Sequence, residues 1–102
     1  MVFKTEKKGN TMYVTIAGVL ENKEADELVP YMEDLLAQDF DEVVFNLSHV
    51  PFMTSMAIGK FLIFYRNLVA QGRQMRVKGI DEELLELFLD IKLDTFFPIE
   101  RE

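Results

Sequence analysis

Apolar and polar side chains alternate near the start of the chain, a pattern typical of half-buried β-strands. The alternation predicts two strands, at residues 2–7 and 11–18. Residues 8–10 separate them, and the Gly-Asn pair in this segment favours the positive φ of a tight turn. The pattern therefore predicts a β-hairpin. One face of its second strand collects the apolar side chains of Met12, Val14 and Ile16.

A stripe of apolar residues at helical spacing predicts a first helix over residues 24–37, after a polar loop at 21–23. The stripe consists of Ala25, Leu28, Met32, Leu35 and Leu36. Pro30 lies inside the span but off the stripe. Since proline lacks an N–H and crowds the preceding turn, we expect a kink at Pro30 or a regular helix that begins later.

The rest of the chain alternates strands with helices. The further elements are a strand at 42–47, a helix over 55–70 that ends near Gly72, a strand at 74–78, a third helix that begins at Asp81, and a last strand at 95–99. The strand at 42–47 is nearly all apolar, as expected when both of its faces are covered. The order β-β-α-β-α-β-α-β predicts a single α/β domain over residues 1–102. Its mixed sheet should have about five strands, joined by right-handed crossovers through three main helices.

Two adjacent hydroxyls, Thr54 and Ser55, precede the apolar part of the second helix. The first turn of a helix has unpaired N–H groups and a positive dipole end, so a phosphate attached there would be well accommodated. Helix capping explains one of the two hydroxyls, and it is compatible with phosphorylation. Thr54 and Ser55 are therefore candidate sites of modification as well as of capping.

The second helix carries apolar residues on more than one side. Its predicted core side consists of Ile58, Phe61, Leu62, Tyr65 and Val69. Met56 and Ile63 project to the opposite side, beside Lys60 and Asn67. Single exposed apolar residues are common on protein surfaces, whereas methionine also suits adaptable docking surfaces. Met56 and Ile63 are thus ordinary surface residues, part of a partner-binding face, or part of a contact in a weak homodimer.

Charge and composition exclude several classes of function. The net charge of −7 opposes binding to nucleic acid or to anionic lipid. The chain has no cysteine and only one histidine, His49, so no second residue of either type is present to build a metal site with it, and no metal or cofactor is expected. No nucleophile elbow surrounds the hydroxyls, and we expect no enzymatic activity. The most apolar run contains charged residues, and the N-terminus lacks a signal-peptide core, so we expect a cytoplasmic protein without a membrane span.

Several segments resemble those of bacterial anti-sigma factor antagonists, the STAS-domain family. The resemblance rests on Gly18 to Glu21, Val43 to Leu47, Phe52 to Gly59 and Leu87 to Ile99. It implies the STAS fold over essentially the whole chain, in agreement with the order of elements. It also implies a partner switch, in which the antagonist binds an anti-sigma factor, usually a serine kinase, and thereby frees a sigma factor. The kinase phosphorylates the antagonist at the start of its second helix, which ends binding, and a phosphatase reverses the modification.

The chain departs from the family's usual motif, Asp-Ser-Ser-Gly, in which the second hydroxyl position is modified. Thr54 stands in the Asp position, Ser55 in that of the first hydroxyl, Met56 in that of the phosphoacceptor and Ala57 in that of the glycine. The resemblance therefore leaves Ser55, and after it Thr54, as phosphorylation candidates. Alternatively, the protein docks without modification, as an accessory subunit of a lipid-transport ABC system would.

A set of partner-binding residues follows from the resemblance and the helix faces together. Glu21 replaces an Asp that lies near the partner surface in relatives, although a plain loop role for Glu21 and Asn22 is open. The expected partner-binding residues are Glu21, Asn22, Thr54, Ser55, Met56, Lys60 and Ile63. Their partner would be an anti-sigma factor of the serine-kinase type, with a phosphatase as a second partner.

Overall fold

The computed structural model describes residues 1–101 of the chain. The predicted order of elements is confirmed, with an additional short 3₁₀ helix near the end. The strands are β1 (Val2–Lys8), β2 (Thr11–Ala17), β3 (Glu42–His49), β4 (Gln74–Ile80) and β5 (Ile99–Arg101). The helices are α1 (Asn22–Leu36), α2 (Ser55–Ala70) and α3 (Glu82–Asp90), followed by the 3₁₀ helix Leu93–Thr95.

The five strands form one mixed sheet in the order β1-β2-β3-β4-β5. Strand β1 runs antiparallel to β2, as the predicted hairpin requires, and its turn places Gly9 at φ +60°. The other neighbours are parallel, so each of the three helices is a crossover between adjacent strands. Because the crossovers advance across the sheet in one direction and with one hand, all three helices lie on the same face.

The hydrophobic core lies between this face and the helices, with Phe45 of β3 near its centre. The Phe45 ring meets Phe61 of α2 edge-on with 5.1 Å between centroids, and it meets Phe64 in the same way at 5.6 Å. Such edge-to-face pairs add to the stabilisation that comes from burial alone. The second helix is thereby held directly against the central strand, which gives its first turn a defined position at the end of β3.

Cover on both faces of β3, as its apolar residues predict, is confirmed at Val44, although helices lie on only one of the two faces. Val44 points to the face opposite the helices, where its neighbours in register are Tyr13 and Arg76. It is nevertheless buried, although it does not belong to the core cluster on the helix side. Long side chains on the open face surround it, since the amino groups of Lys8 and Lys78 both lie within 6 Å of the Tyr13 ring. A strand rich in apolar residues therefore does not require two layers of helices.

The first helix begins earlier than predicted, at Asn22, with Glu21 as its N-cap residue. The backbone N–H of Glu21 donates to Oε1 of Glu24 at 3.1 Å, which uses one of the donors that a helix start leaves unpaired. The helix continues through Pro30, so the expectation of a later start is wrong. Pro30 lies on the exposed side, off the buried stripe, as predicted.

The last strand is also displaced from its predicted position at residues 95–99. Residues 93–95 form the 3₁₀ helix, and β5 begins at Ile99, which pairs with Val77 of β4. Phe97 is buried in the core, and the carbonyl of Phe96 accepts a 2.6 Å hydrogen bond from the hydroxyl of Tyr65. The aromatic pair thus anchors an irregular segment rather than a strand.

Candidate partner-binding site at the start of the second helix

The segment between β3 and α2 leads the chain from the centre of the sheet to the surface. Val50 and Met53 are buried and fix the segment to the core. Phe52, between them, points outward and is 50% exposed. Thr54 then adopts an extended conformation, with φ −77° and ψ 163°, and the helix begins at Ser55.

The segment before α1 lies alongside this one. Leu20 and Met53 form an isolated parallel β-bridge. The N–H of Leu20 donates to the carbonyl of Phe52 at 3.0 Å, and the N–H of Thr54 donates to the carbonyl of Leu20 at 2.9 Å. The bonds hold the starts of α1 and α2 next to each other at the same end of the sheet. Glu21, immediately after Leu20, is therefore brought to the side of Thr54 and Ser55.

The two adjacent hydroxyls have different environments. Thr54 is half-buried, and its Oγ1 accepts a hydrogen bond from the N–H of Ala57 at 3.3 Å. It is thus the N-cap of α2. Ser55 is the first residue of the helix and is exposed, and within residues 1–101 its hydroxyl has no hydrogen-bond partner. Capping uses one hydroxyl and leaves the other facing solvent.

Exposed apolar side chains flank Ser55. Val19 is 40% exposed and Met56 is 44% exposed. Val19 precedes Leu20, whose N–H is bonded to the carbonyl of Phe52, and Met56 follows Ser55 in the helix. The name α2 corner is used below for Val19, Glu21, Phe52, Ser55 and Met56. The places of Val19 and Phe52 in this surface do not follow from a local sequence pattern, because their exposure depends on the bridge between the two segments.

Lys60 and Ile63 continue the surface along α2, as predicted. Ile63 is 48% exposed, while Lys60 is half-buried. Both contribute to a groove of about 190 Å³ between α1 and α2. The groove is lined by Val29, Met32, Glu33, Leu36, Lys60, Ile63, Phe64 and Asn67. Asn22, the first residue of α1, is exposed beside the α2 corner.

The predicted core side of α2 is correct in part. Ile58 and Phe61 are buried, whereas Val69 is 51% exposed and does not belong to the core. Phe64, which the prediction omitted, is buried against Phe45. The buried arc of the helix is shifted because α2 packs against α1 as well as against the sheet.

Titratable residues do not gather into a recognisable reaction centre around these hydroxyls. His49 is exposed at the end of β3, and its carbonyl accepts a hydrogen bond from the N–H of Gly18 at 3.0 Å. Within residues 1–101, His, Asp and Glu side chains form no group of three that could hold a metal ion. In the same part of the chain, every helix is too short or too polar to cross a bilayer.

Comparisons with known proteins show which solved structures this chain resembles and to which family it belongs. No curated protein sequence matches this chain. Among solved structures, the Thermotoga maritima protein TM1081 superposes with a TM-score of 0.90 at 15% identity, covering 98% of this chain and 86% of its own. An anti-sigma factor antagonist from Mycobacterium paratuberculosis gives 0.87 at 19% identity, covering 99% and 86%. The Bacillus cell fate determinant SpoIIAA, in its phosphorylated form, gives 0.74 at 17% identity, covering 99% and 93%.

At these sequence identities, the structural similarity establishes only that the fold is shared. The family is established by a match to the sequence. The family model of the STAS domain matches residues 3–102. The match runs through both segments of the α2 corner and through the irregular segment before β5. The chain therefore belongs to the STAS-domain family.

Proposed function

We propose that this protein is an anti-sigma factor antagonist, which binds an anti-sigma factor through the α2 corner and thereby frees a sigma factor. The observation that carries the proposal is the exposure of Ser55 on the first turn of α2, flanked by exposed apolar side chains, while Thr54 caps the helix. Solved relatives of the same fold include an anti-sigma factor antagonist and the phosphorylated form of SpoIIAA.

The chemistry of the corner suits protein docking. Apolar side chains such as Phe52 and Met56 contribute most of their binding free energy when a partner covers them and excludes water. Glu21 offers a negative charge at the rim, where charges govern orientation and association rate more than affinity. The partner's surface should accordingly be apolar at its centre and basic at its edge. Lys60 and Ile63 would extend the contact along α2.

We assign regulation to phosphorylation of Ser55, with Thr54 as the second candidate. The exposed Ser55 hydroxyl is accessible to a kinase, whereas Thr54 is half-buried and its oxygen is engaged in the cap. A phosphate adds about −1.5 to −2 charges at neutral pH. Beside Glu21 and among exposed apolar side chains, that charge would oppose docking by repulsion and by the cost of removing its water. A serine kinase and a phosphatase would set the state of Ser55.

The proposed role places the protein in the cytoplasm, where sigma factors act, and gives it no catalytic activity of its own. Monomer and weak homodimer are both compatible with the exposure of Met56 and Ile63. Sedimentation at several concentrations would distinguish the two states. A homodimer through α2 would compete with the partner for the same side chains.

The test is a calorimetric titration of the protein with the anti-sigma serine kinase from the same organism. Met56→Lys places a charge in the centre of the corner and should weaken binding about a hundredfold or more. Val69→Lys is the matched control, because Val69 is similarly exposed at the other end of the same helix. Equal affinity of the wild type and Met56→Lys would refute docking at this corner.

A second candidate function is favoured by Met56, which occupies the position where the family resemblance expects the phosphoacceptor. A STAS subunit that docks without modification, for example on the ATPase of a lipid-transport ABC system, needs no hydroxyl there. Binding to such an ATPase, together with an unmodified Ser55 in protein from the native host, would support this candidate. Mass spectrometry of residues 54–55 reports the modification directly.

A further inference from the structure

A second cavity lies at the opposite end of α2 from the α2 corner. Its volume is about 330 Å³, and it opens between the end of α2, the starts of β3 and β4, and the segment before β5. Its lining residues are Glu42, Tyr65, Val69, Arg73, Gln74, Met75, Phe96 and Pro98. Small-molecule sites in proteins begin at about this size and combine apolar walls with a few placed polar groups.

Arg73 is the unusual member of this lining. Its guanidinium stacks on the Phe40 ring, with Cζ 4.4 Å from the ring centroid. The Nη1 atom is buried and has no hydrogen-bond partner among residues 1–101. A buried donor without an acceptor is costly, and arginine is the side chain best shaped to bind carboxylate or phosphate through paired N–H groups.

The backbone at Arg73 is held by the end of α2. Gly72 ends α2 in a left-handed conformation, with φ +73°, and the N–H of Arg73 donates to the carbonyl of Leu68 at 2.9 Å. Stacking on Phe40 then holds the guanidinium plane. Because the stacking restricts the guanidinium, less side-chain freedom is lost when a ligand binds, which favours affinity.

The other charged residue of the lining, Glu42, is already compensated. The carboxylate of Glu42 lies 3.4 Å from Arg76, which also approaches Glu100 at 3.7 Å. In the described part of the chain, Arg73 forms no ion pair, so its charge is the one in the lining without a carboxylate partner. Tyr65 and Phe96 supply aromatic surface, and the Tyr65 hydroxyl is engaged by the carbonyl of Phe96.

We propose that this cavity binds a small organic anion, in which a carboxylate or phosphate group is attached to a flat apolar ring. The oxyanion accepts hydrogen bonds from the guanidinium of Arg73, and the ring packs against Tyr65 and Phe96. The site is separate from the α2 corner, so its existence does not depend on the proposed docking function.

The first experiment is an NMR titration of the full chain with four probes. Phenyl phosphate and benzoate carry both parts of the proposed ligand, and their relative affinities distinguish phosphate from carboxylate. Inorganic phosphate lacks the ring, and benzyl alcohol lacks the charge. We expect phenyl phosphate or benzoate to shift the amide signals of Arg73, Gln74 and Phe96 at concentrations at least about tenfold lower than inorganic phosphate or benzyl alcohol requires. Absence of localised shifts with both aromatic anions would overturn the proposal.

A pair of charge-matched variants tests the role of Arg73. Arg73→Gln should weaken the tighter probe about tenfold or more, the loss expected for a charge-assisted hydrogen bond. Arg66→Gln removes the same charge from an exposed position on α2 and should leave the affinity unchanged. Equal weakening by both variants would show general electrostatic attraction and overturn the site. Because the comparison of the four probes uses the wild-type chain, a folding defect in Arg73→Gln would not remove the test.

Discussion

The backbone N–H of Thr54 donates a 2.9 Å hydrogen bond to the carbonyl of Leu20, and this bond ties the start of α2 to the segment before α1. It places an acidic N-cap residue, Glu21, beside a hydroxyl N-cap residue, Thr54, at one end of the sheet. A partner that covers this end contacts two helix starts at once. The structure thereby links residues that are far apart in sequence into one candidate docking surface.

Removal of the Thr54 hydroxyl should destabilise the protein, whereas removal of the neighbouring hydroxyl should not. Thr54→Ala deletes the acceptor of the Ala57 N–H, and the expected loss is about 1 kcal/mol of unfolding free energy. Ser55→Ala removes a solvent-facing group and should change stability by less than about 0.5 kcal/mol. Urea denaturation followed by circular dichroism measures both. A loss for Ser55→Ala as large as that for Thr54→Ala would contradict the assignment of the cap.

A negative charge at Ser55 should raise the stability of the fold and lower the affinity for the partner. Ser55→Asp places a carboxylate at the positive end of α2, which should stabilise the fold by about 0.3–1 kcal/mol. The same charge should weaken binding to the anti-sigma kinase about tenfold or more, since it enters an apolar contact beside Glu21. Thermal unfolding and calorimetric titration are the two measurements.

Gln71→Asp is the control for charge alone. It adds the same charge at the exposed C-terminal end of α2 and should leave the binding affinity unchanged. If Ser55→Asp bound the kinase as tightly as the wild type, phosphorylation of Ser55 would not act as the switch.

The interior proline of α1 predicts a stabilising substitution. Pro30 is exposed and lacks the N–H that would complete a hydrogen bond within the helix. Pro30→Ala should raise the unfolding free energy by about 2 kcal/mol, after allowance for the greater freedom of the unfolded chain. Pro51→Ala is the control, because Pro51 is exposed outside the helices and its loss should lower stability by about 0.4–1 kcal/mol. A decrease for both would mean that α1 requires Pro30.

Local signals explain which parts of this fold the sequence predicts. The hairpin turn at Gly9 and a cap from one of the two adjacent hydroxyls depend on neighbouring residues, and both are confirmed, with Thr54 as the capping residue. The third helix was predicted to begin at Asp81, and Asp81 is its N-cap, since its carboxylate accepts the N–H of Leu84 at 2.9 Å. The last strand was misplaced because an apolar aromatic pair is equally compatible with a strand and with a buried irregular segment. Only pairing with β4 decides between them, and that pairing is determined by the whole sheet.

The candidate site shows the same division. The exposure of Met56 and Ile63 follows from the period of α2 and was predicted. The exposure of Val19 and Phe52 follows from the Leu20–Met53 bridge, which a single sequence does not display. The environment of Arg73 could not be predicted from the sequence for a similar reason. Its stacking partner Phe40 precedes β3, and the cavity requires the final segment of the chain to close it.

Two glycines should respond to the same substitution with opposite sign. Gly79 in β4 has φ +72°, and a Cβ atom there would lie 2.8 Å from Oδ1 of Asn46. The Asn46 side chain cannot move away without losing a hydrogen bond, because this oxygen accepts the N–H of Ser48 at 3.0 Å. Gly79→Ala should therefore cost more than about 1–2 kcal/mol, the left-handed backbone penalty alone.

Gly59 lies inside α2, and a Cβ atom there would have no heavy atom within 4 Å beyond its own helix backbone. Gly59→Ala should raise the unfolding free energy by about 0.5–1 kcal/mol, because alanine loses less backbone freedom than glycine in a helix. Denaturant titration of the two variants beside the wild type measures both effects. A destabilised Gly59→Ala variant would show that α2 packs more tightly at this turn than the structure indicates. An unaffected Gly79→Ala variant would show that β4 can adopt another backbone conformation next to Asn46.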